Sequence, residues 1–220
     1  MTTARDFLIT TLDLPSGREV APGDLSLGLA AAELVDLLRS GAATLTGGRV
    51  VPGERLPHDD RLLGEAAAAL SRTLPFETVD EWLWRRGRGL AAAYLAVLTD
   101  EGTVARQRKR RWLAFGGSRT VLLDTADRRR AAHRWAADEP VLLALAATVG
   151  APPPPPPDPA LGLPAPAPAG PPDLPARIDD PAVEAILAAL ADAVAELSAE
   201  RRRRASRLDD AHAATLRRGY

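Results

Sequence analysis

Thirteen of the chain's twenty prolines fall between Pro152 and Pro175, six of them consecutive from Pro152 to Pro157. A run of this kind has fixed φ and no amide donors, so it supports neither a helix interior nor an inner strand. It divides the 220 residues into a body over 1–150, a Pro-rich linker or insertion over 151–176, and a C-terminal segment over 177–220. The linker itself favours an extended polyproline conformation, and a ligand for a proline-recognising partner is a second reading of it.

The body carries its own apolar content. Hydrophobic residues make up 46% of the chain but aromatics only 4%, so the core must be built from Leu, Ala and Val, which favours helix-on-helix packing. A helix is expected from Asp24 to Ser40, with Leu25, Leu29, Leu34, Leu37 and Leu38 as its stripe and Gly41 closing it. Ala43 to Thr46 and Arg49 to Val51 read as a hairpin around Gly47-Gly48. Asp59 and Asp60 open a helix carrying Leu62, Leu63, Ala66 and Leu70. Thr78 opens another with Val79, Trp82 and Leu83, interrupted by Arg85 to Gly89 and resumed from Leu90 to Gly102. A second hairpin is expected from Val104 to Leu123 around Gly116-Gly117-Ser118. Asp124 then caps a helix to Ala137, and Pro140 starts one to Val149. Beyond the linker, Asp180 caps a C-terminal helix that packs through Val183, Ile186, Leu187, Leu190, Val194 and Leu197 and ends in a basic, frayed tail after Arg201 to Arg204. Phe7 to Leu14 alternates weakly and reads as a strand or an extended lead-in. The expected class is mainly α, a central helical bundle ringed by amphipathic helices, with one or two short β-hairpins.

Several function classes find no support in the residues. There is no cysteine, hence no disulfide framework and no thiolate site. His58, His133 and His212 lack metal-ligand spacing, and the pairs Asp59-Asp60 and Asp179-Asp180 sit where helix capping accounts for them. No nucleophile elbow, phosphate-loop lysine signature or zinc-protease motif is present. The expectation is a protein that is not an enzyme and needs no metal or cofactor. Net charge is −1, so nucleic acid is not the expected partner. The N-terminus carries no signal-peptide pattern and no stretch approaches a membrane span, so a cytoplasmic location is expected, with peripheral contact on the inner face of a membrane.

What remains is a concentration of cations. Arg85, Arg86, Arg88, Arg106, Arg108, Lys109, Arg110 and Arg111 are opposed in that stretch only by Asp100 and Glu101. Arg85, Arg86 and Arg88 are candidates for binding an anionic lipid headgroup, because guanidinium groups pair bidentately with phosphate. Arg110, Arg111, Trp112, Leu113 and Phe115 form a candidate hairpin tip for membrane contact or self-association, apolar side chains entering the interface while cations meet phosphates. Two other readings stay open: the basic run is a solvated face, or the aromatic residues pack inward.

These residues, in this order, resemble the Golgi phosphoprotein 3 family in a short bacterial, actinomycete-like form. The resemblance runs over about residues 5–150 through Phe7-Leu8, the helix Gly28 to Gly41, the strand Arg49-Val50-Val51, and Asp60-Arg61-Leu62-Leu63-Gly64-Glu65-Ala66. It continues through Val79-Asp80-Glu81-Trp82-Leu83 with the following arginines, and the hairpin Arg111 to Thr120. It implies a helical fold with a protruding hairpin and a non-enzymatic peripheral adaptor. The implied partners are phosphatidylinositol 4-phosphate or another anionic phospholipid headgroup, and membrane-protein tails. A homo-oligomer through the hairpin is also implied. The family's headgroup pocket uses a Trp and an Arg around its first long helix, where this chain has Ala21-Pro22 and Ala30. It also uses a later basic pair, of which Arg88 is one member and Ala91 stands for the other. A protein-interaction adaptor or self-associating scaffold without lipid binding is the alternative function.

Overall fold

The computed structural model of the chain describes residues 2–14, 19–54, 59–108, 118–152 and 178–218, without the side chains of 106–108, 118–119 and 209–218. Its elements in order are helix α1 (Thr3–Leu12), α2 (Pro22–Arg39), strands β1 (Ala43–Thr46) and β2 (Arg49–Pro52), α3 (Arg61–Ala68), α4 (Val79–Arg86), α5 (Leu90–Asp100), β3 (Val104–Arg108), β4 (Ser118–Leu122), α6 (Ala126–Ala136), α7 (Pro140–Thr148) and α8 (Pro181–Arg218). The protein is mainly α-helical with two short antiparallel hairpins, β1–β2 and β3–β4.

Helix α2 is the axis. Every residue from Asp24 to Leu37 is buried, so no face of it is left for water. A helix that is hidden on all sides needs neighbours around its whole circumference. α1, α4, α5, α7 and α8 supply them, α3 and β1 close the remaining gap, and α6 forms an outer layer against α1. The core is aliphatic as the composition required: Leu8, Leu29, Leu34, Leu37, Leu83, Leu98, Leu142 and Leu145 are fully buried, and Trp82, Tyr94 and Phe7 are its large aromatic members.

Three local expectations differ from the structure. The segment from Phe7 is helix rather than strand. Thr2 caps it by accepting from the Arg5 amide, and Asp36 of α2 accepts from the Ala4 amide at 3.2 Å, so α2 itself satisfies an orphan donor of α1. Thr10 and Thr11 donate their hydroxyls to the carbonyls of Asp6 and Leu8 within the helix. Helix α6 is capped by Thr125 rather than Asp124, the hydroxyl accepting from the Arg128 amide. The basic stretch after Arg201 continues α8 to Arg218 instead of ending it.

α1 reaches α2 so closely because Gly28 has no side chain. A Cβ there would lie 2.7 Å from Phe7 Cζ and 3.0 Å from Val149 Cγ1. Glycine inside a helix costs about 1 kcal/mol relative to alanine, and the close packing of a fully buried phenyl ring offsets that. Gly28→Val is expected to lower stability by about 1–3 kcal/mol, read from the urea midpoint at unchanged m-value. An unchanged midpoint would mean that Phe7 can leave its seat freely.

Candidate functional site

The three arginines singled out in the sequence lie on α4 and the turn after it, but they do three different things. Successive helix residues point about 100° apart, so Arg85 and Arg86 meet different neighbours. Arg86 turns inward. Its Nε and Nη2 donate to the two carboxylate oxygens of Glu33 at 2.7 and 2.8 Å, and Nη2 also reaches the Leu62 carbonyl at 3.2 Å. Glu33 stands in the middle of α2 with no exposed surface. The Tyr94 hydroxyl of α5 donates to it at 3.1 Å. Burial pushes the Glu33 carboxyl above its ordinary range, against the opposing pull of Arg86 and Tyr94. Burial likewise pushes the Tyr94 phenol well up, and the Glu33 charge adds to it.

Arg85 is a clasp. Its guanidinium forks onto Glu77 at 2.7 to 3.0 Å, donates to the Ala69 carbonyl at 3.1 Å, and lies 5.2 Å from the centroid of the Trp82 ring. It thereby ties the α3–α4 connection to α4, while Trp82 Nε1 donates to the Ala30 carbonyl and ties α4 to α2. About half of the Arg85 side chain remains exposed.

Arg88 is exposed and makes no ion pair among the described residues. It sits in the Gly87-Arg88-Gly89 turn. Gly89 takes φ 70°, a left-handed conformation that glycine adopts without steric cost. Gly87 lets the turn lie flat on α2, since a Cβ there would be 2.6 Å from the Leu83 carbonyl oxygen and 3.3 Å from that of Ser26. Ser26 Oγ accepts from the Ala91 amide at 3.2 Å and so caps α5 from α2.

Two residues earlier on α2, a cation from α8 arrives. Arg201 of α8 donates to Asp24 at 2.7 Å, and a Cβ on Gly23 would lie 2.7 Å from its Nη2. The N-terminal end of α2 therefore gathers the Arg88 turn, Arg201 and the start of the outgoing half of α8. Sequence reasoning missed Arg201 as a member of this end. It also missed Glu33 as the destination of Arg86, although a lone glutamate inside an apolar helix is itself a sign that a cation must come to it.

The other expected residues divide as follows. Arg110, Arg111, Trp112, Leu113 and Phe115 lie outside the described residues, between strands whose last described pair is Arg108 with Ser118. Ala30 and Ala91, at positions where the resembling family carries cations, are buried in the α2–α5 packing. His133 is exposed on α6, and no group of acidic or histidine side chains able to hold a metal occurs among the described residues.

The fold is a helical body with an arginine-bearing turn at one end of its central helix and a β-hairpin whose strands pack on α5 and α1. The family model of Golgi phosphoprotein 3 (GPP34) matches residues 4–218, nearly the whole chain, and the protein belongs to that family. No curated protein matches the chain.

The Glu33 and Arg86 pair has a testable pH signature. A carboxyl whose folded-state pKa lies above its unfolded value favours the fold at acid pH, and that contribution fades as pH rises past the ordinary value of 4.5. In Arg86→Met the opposing cation is gone and the carboxylate is left uncompensated. The variant should be close to native stability near pH 4.5 and about 3–5 kcal/mol less stable at neutral pH. Urea unfolding at the two pH values reads this directly. Glu33→Leu combined with Arg86→Met should recover most of the loss and remove the pH dependence. A single variant equally stable at both values would show that Glu33 is not held in a dry site.

Proposed function

We propose that this protein is a peripheral adaptor that docks on anionic membrane surfaces through the N-terminal end of α2 and the β3–β4 hairpin tip. The observation that carries the reading is membership of the Golgi phosphoprotein 3 family over residues 4–218. Arg88 supports it as the exposed cation at the end of the central helix, with Arg85 half-exposed beside it. Arg86 takes part indirectly, by holding α4 against α2 so that the turn is presented rigidly. Arg110, Arg111, Trp112, Leu113 and Phe115 would supply the second contact, aromatic rings at the interface with cations on phosphates. No helix among the described residues is long and apolar enough to cross a membrane, in keeping with contact from outside the bilayer.

Recognition in this reading is by charge density rather than by one headgroup. Ala30 and Ala91 are packed into the helix interface and donate nothing from their side chains. Too few guanidinium groups are then left to enclose a single phosphoinositide, whereas lipid phosphates spread over a surface need no enclosure. Phosphatidylinositol 4-phosphate is one such anionic lipid, with no privileged place among them.

Vesicle flotation tests this. Phosphatidylcholine vesicles doped with phosphatidylserine or with phosphatidylinositol 4-phosphate, matched in total charge, should bind the protein to the same extent. Plain phosphatidylcholine should not. Binding should fall as salt rises, because exposed charges are screened beyond about 10 Å at 0.1 M ionic strength. Arg88→Ala should weaken it about fivefold, the value of about 1 kcal/mol for one basic residue at an anionic surface. Absence of binding to either anionic vesicle sinks the reading, and a dimer or a co-sedimenting protein in its place would favour the scaffold alternative.

A further inference from the structure

Helix α8 outlasts the body it packs on. Val183, Ile186, Leu190 and Ala193 are buried against the core and Leu197 is partly so, Arg201 makes the last ion pair with the body among the described side chains, and every residue from Arg202 to Leu208 is exposed. The helix nevertheless runs on to Arg218, so about 25 Å of it extends past Arg201 at about 1.5 Å per residue. Because α8 buries its earlier turns along α2 and reaches Gly23 only at Leu197 and Arg201, it leaves beyond the N-terminal end of α2. That is the end where the Arg88 turn lies.

The outgoing half differs in chemistry from the half that packs. Residues 202–218 contain six arginines and two aspartates, in a chain whose net charge is −1. Arg203, Arg204 and Arg207 share one flank of the helix and all donate to Glu200, at 2.7 to 3.2 Å. Arg204 and Arg203 pull that carboxyl down to about 2, so one negative charge stands against three positive ones across the neutral range. Leu208 is 71% exposed. Eleven residues make three turns plus about 20°, so Leu208 continues the line of Leu197, on which α8 packs against the body. The same line passes through Arg204, so beyond Arg201 the helix carries exposed arginines with one exposed leucine among them, cations for phosphates beside an apolar side chain for the interface.

We propose that the projecting half of α8 is a basic arm that lies along the same anionic bilayer that the body meets. Arg202, Arg203, Arg204 and Arg207 reach lipid phosphates, and Leu208 enters the interface. The proposal rests on the reading of the body as a membrane-docking module and extends it from one turn to a second, elongated contact. A second copy of the chain is a poorer occupant: between Arg202 and Arg207 the only apolar side chain is Ala205, and two such arms would set like charges side by side. Nucleic acid would use the arginines but has no use for the exposed leucine in line with them.

The absence of cysteine makes the arm easy to report on. Leu208→Cys introduces one thiol, which takes an environment-sensitive fluorophore such as NBD. Added phosphatidylserine vesicles should raise its emission severalfold with a blue shift, and phosphatidylcholine vesicles should leave it unchanged. In the full chain, combined Arg202→Gln, Arg203→Gln, Arg204→Gln and Arg207→Gln should reduce partitioning onto phosphatidylserine vesicles roughly a thousandfold, at about 1 kcal/mol per residue. Arg201 is kept because it anchors α8, and circular dichroism confirms that helix content is retained. Native-like flotation with a silent label, or undiminished flotation of the fourfold variant, overturns the arm and leaves the body reading intact. No flotation of the native chain overturns both. A fourfold variant that loses duplex DNA or RNA binding while floating normally assigns the arm to nucleic acid and also overturns the proposal.

Discussion

A buried carboxylate must find a cation, and in this protein that requirement draws the helices together. Glu33 sits at the centre of the one helix hidden on every side, where an unpaired charge would cost several kcal/mol. Arg86 from α4, Tyr94 from α5 and, through Arg86, the Leu62 carbonyl of α3 converge on it. Packing of leucine and alanine against leucine and alanine is tolerant of sliding. A forked pair with fixed hydrogen-bond directions is not, so the pair selects one register for α2, α3, α4 and α5 out of the many that the aliphatic surfaces would accept. Asp36 with the start of α1, Asp6 with Arg130 and Arg134 of α6, and Asp24 with Arg201 of α8 repeat the device around the axis.

This arrangement also explains what could be read from the sequence. The helices from Asp60, Thr78 and Asp180 were legible because each opens on a capping residue and continues in an apolar period, and the first hairpin because Gly47 and Gly48 mark its turn; the helix expected from Asp24 starts two residues earlier at Pro22, with Ala21 in the cap position and Asp24 inside its first turn. α1 was not, because it is buried on nearly all sides and so lacks the one-sided pattern that distinguishes a surface helix. The site was legible only as a list. Arg85, Arg86 and Arg88 are neighbours in the chain, but their partners lie 8 residues away for Arg85 and 53 away for Arg86. Proximity along the chain suggested one patch, and long-range pairing divided it into a clasp, an internal tie and an exposed cation.

The division has a functional side. A rigid turn that presents a guanidinium differs from a mobile loop carrying the same residue, because less conformational freedom is lost on contact. Gly87 and Gly89, the cap that Ser26 places on α5, and the pairs behind them hold Arg88 where it is. The internal pairs of Arg85 and Arg86 thus hold the turn that carries Arg88.

The complete enclosure of α2 sets an order of events during synthesis. Its residues leave the ribosome well before one of its walls, α8, whose first turn begins at Pro181. At about 5–20 residues per second, the ribosome takes on the order of ten seconds to deliver that wall after the helix itself has emerged. For that interval the nascent chain carries an uncovered strip of leucine and alanine, a target for chaperones and for its own neighbours on a polysome. Only when α8 arrives is that strip covered, and a chain ending before Pro181 would leave its interior open along α2, α4 and α7.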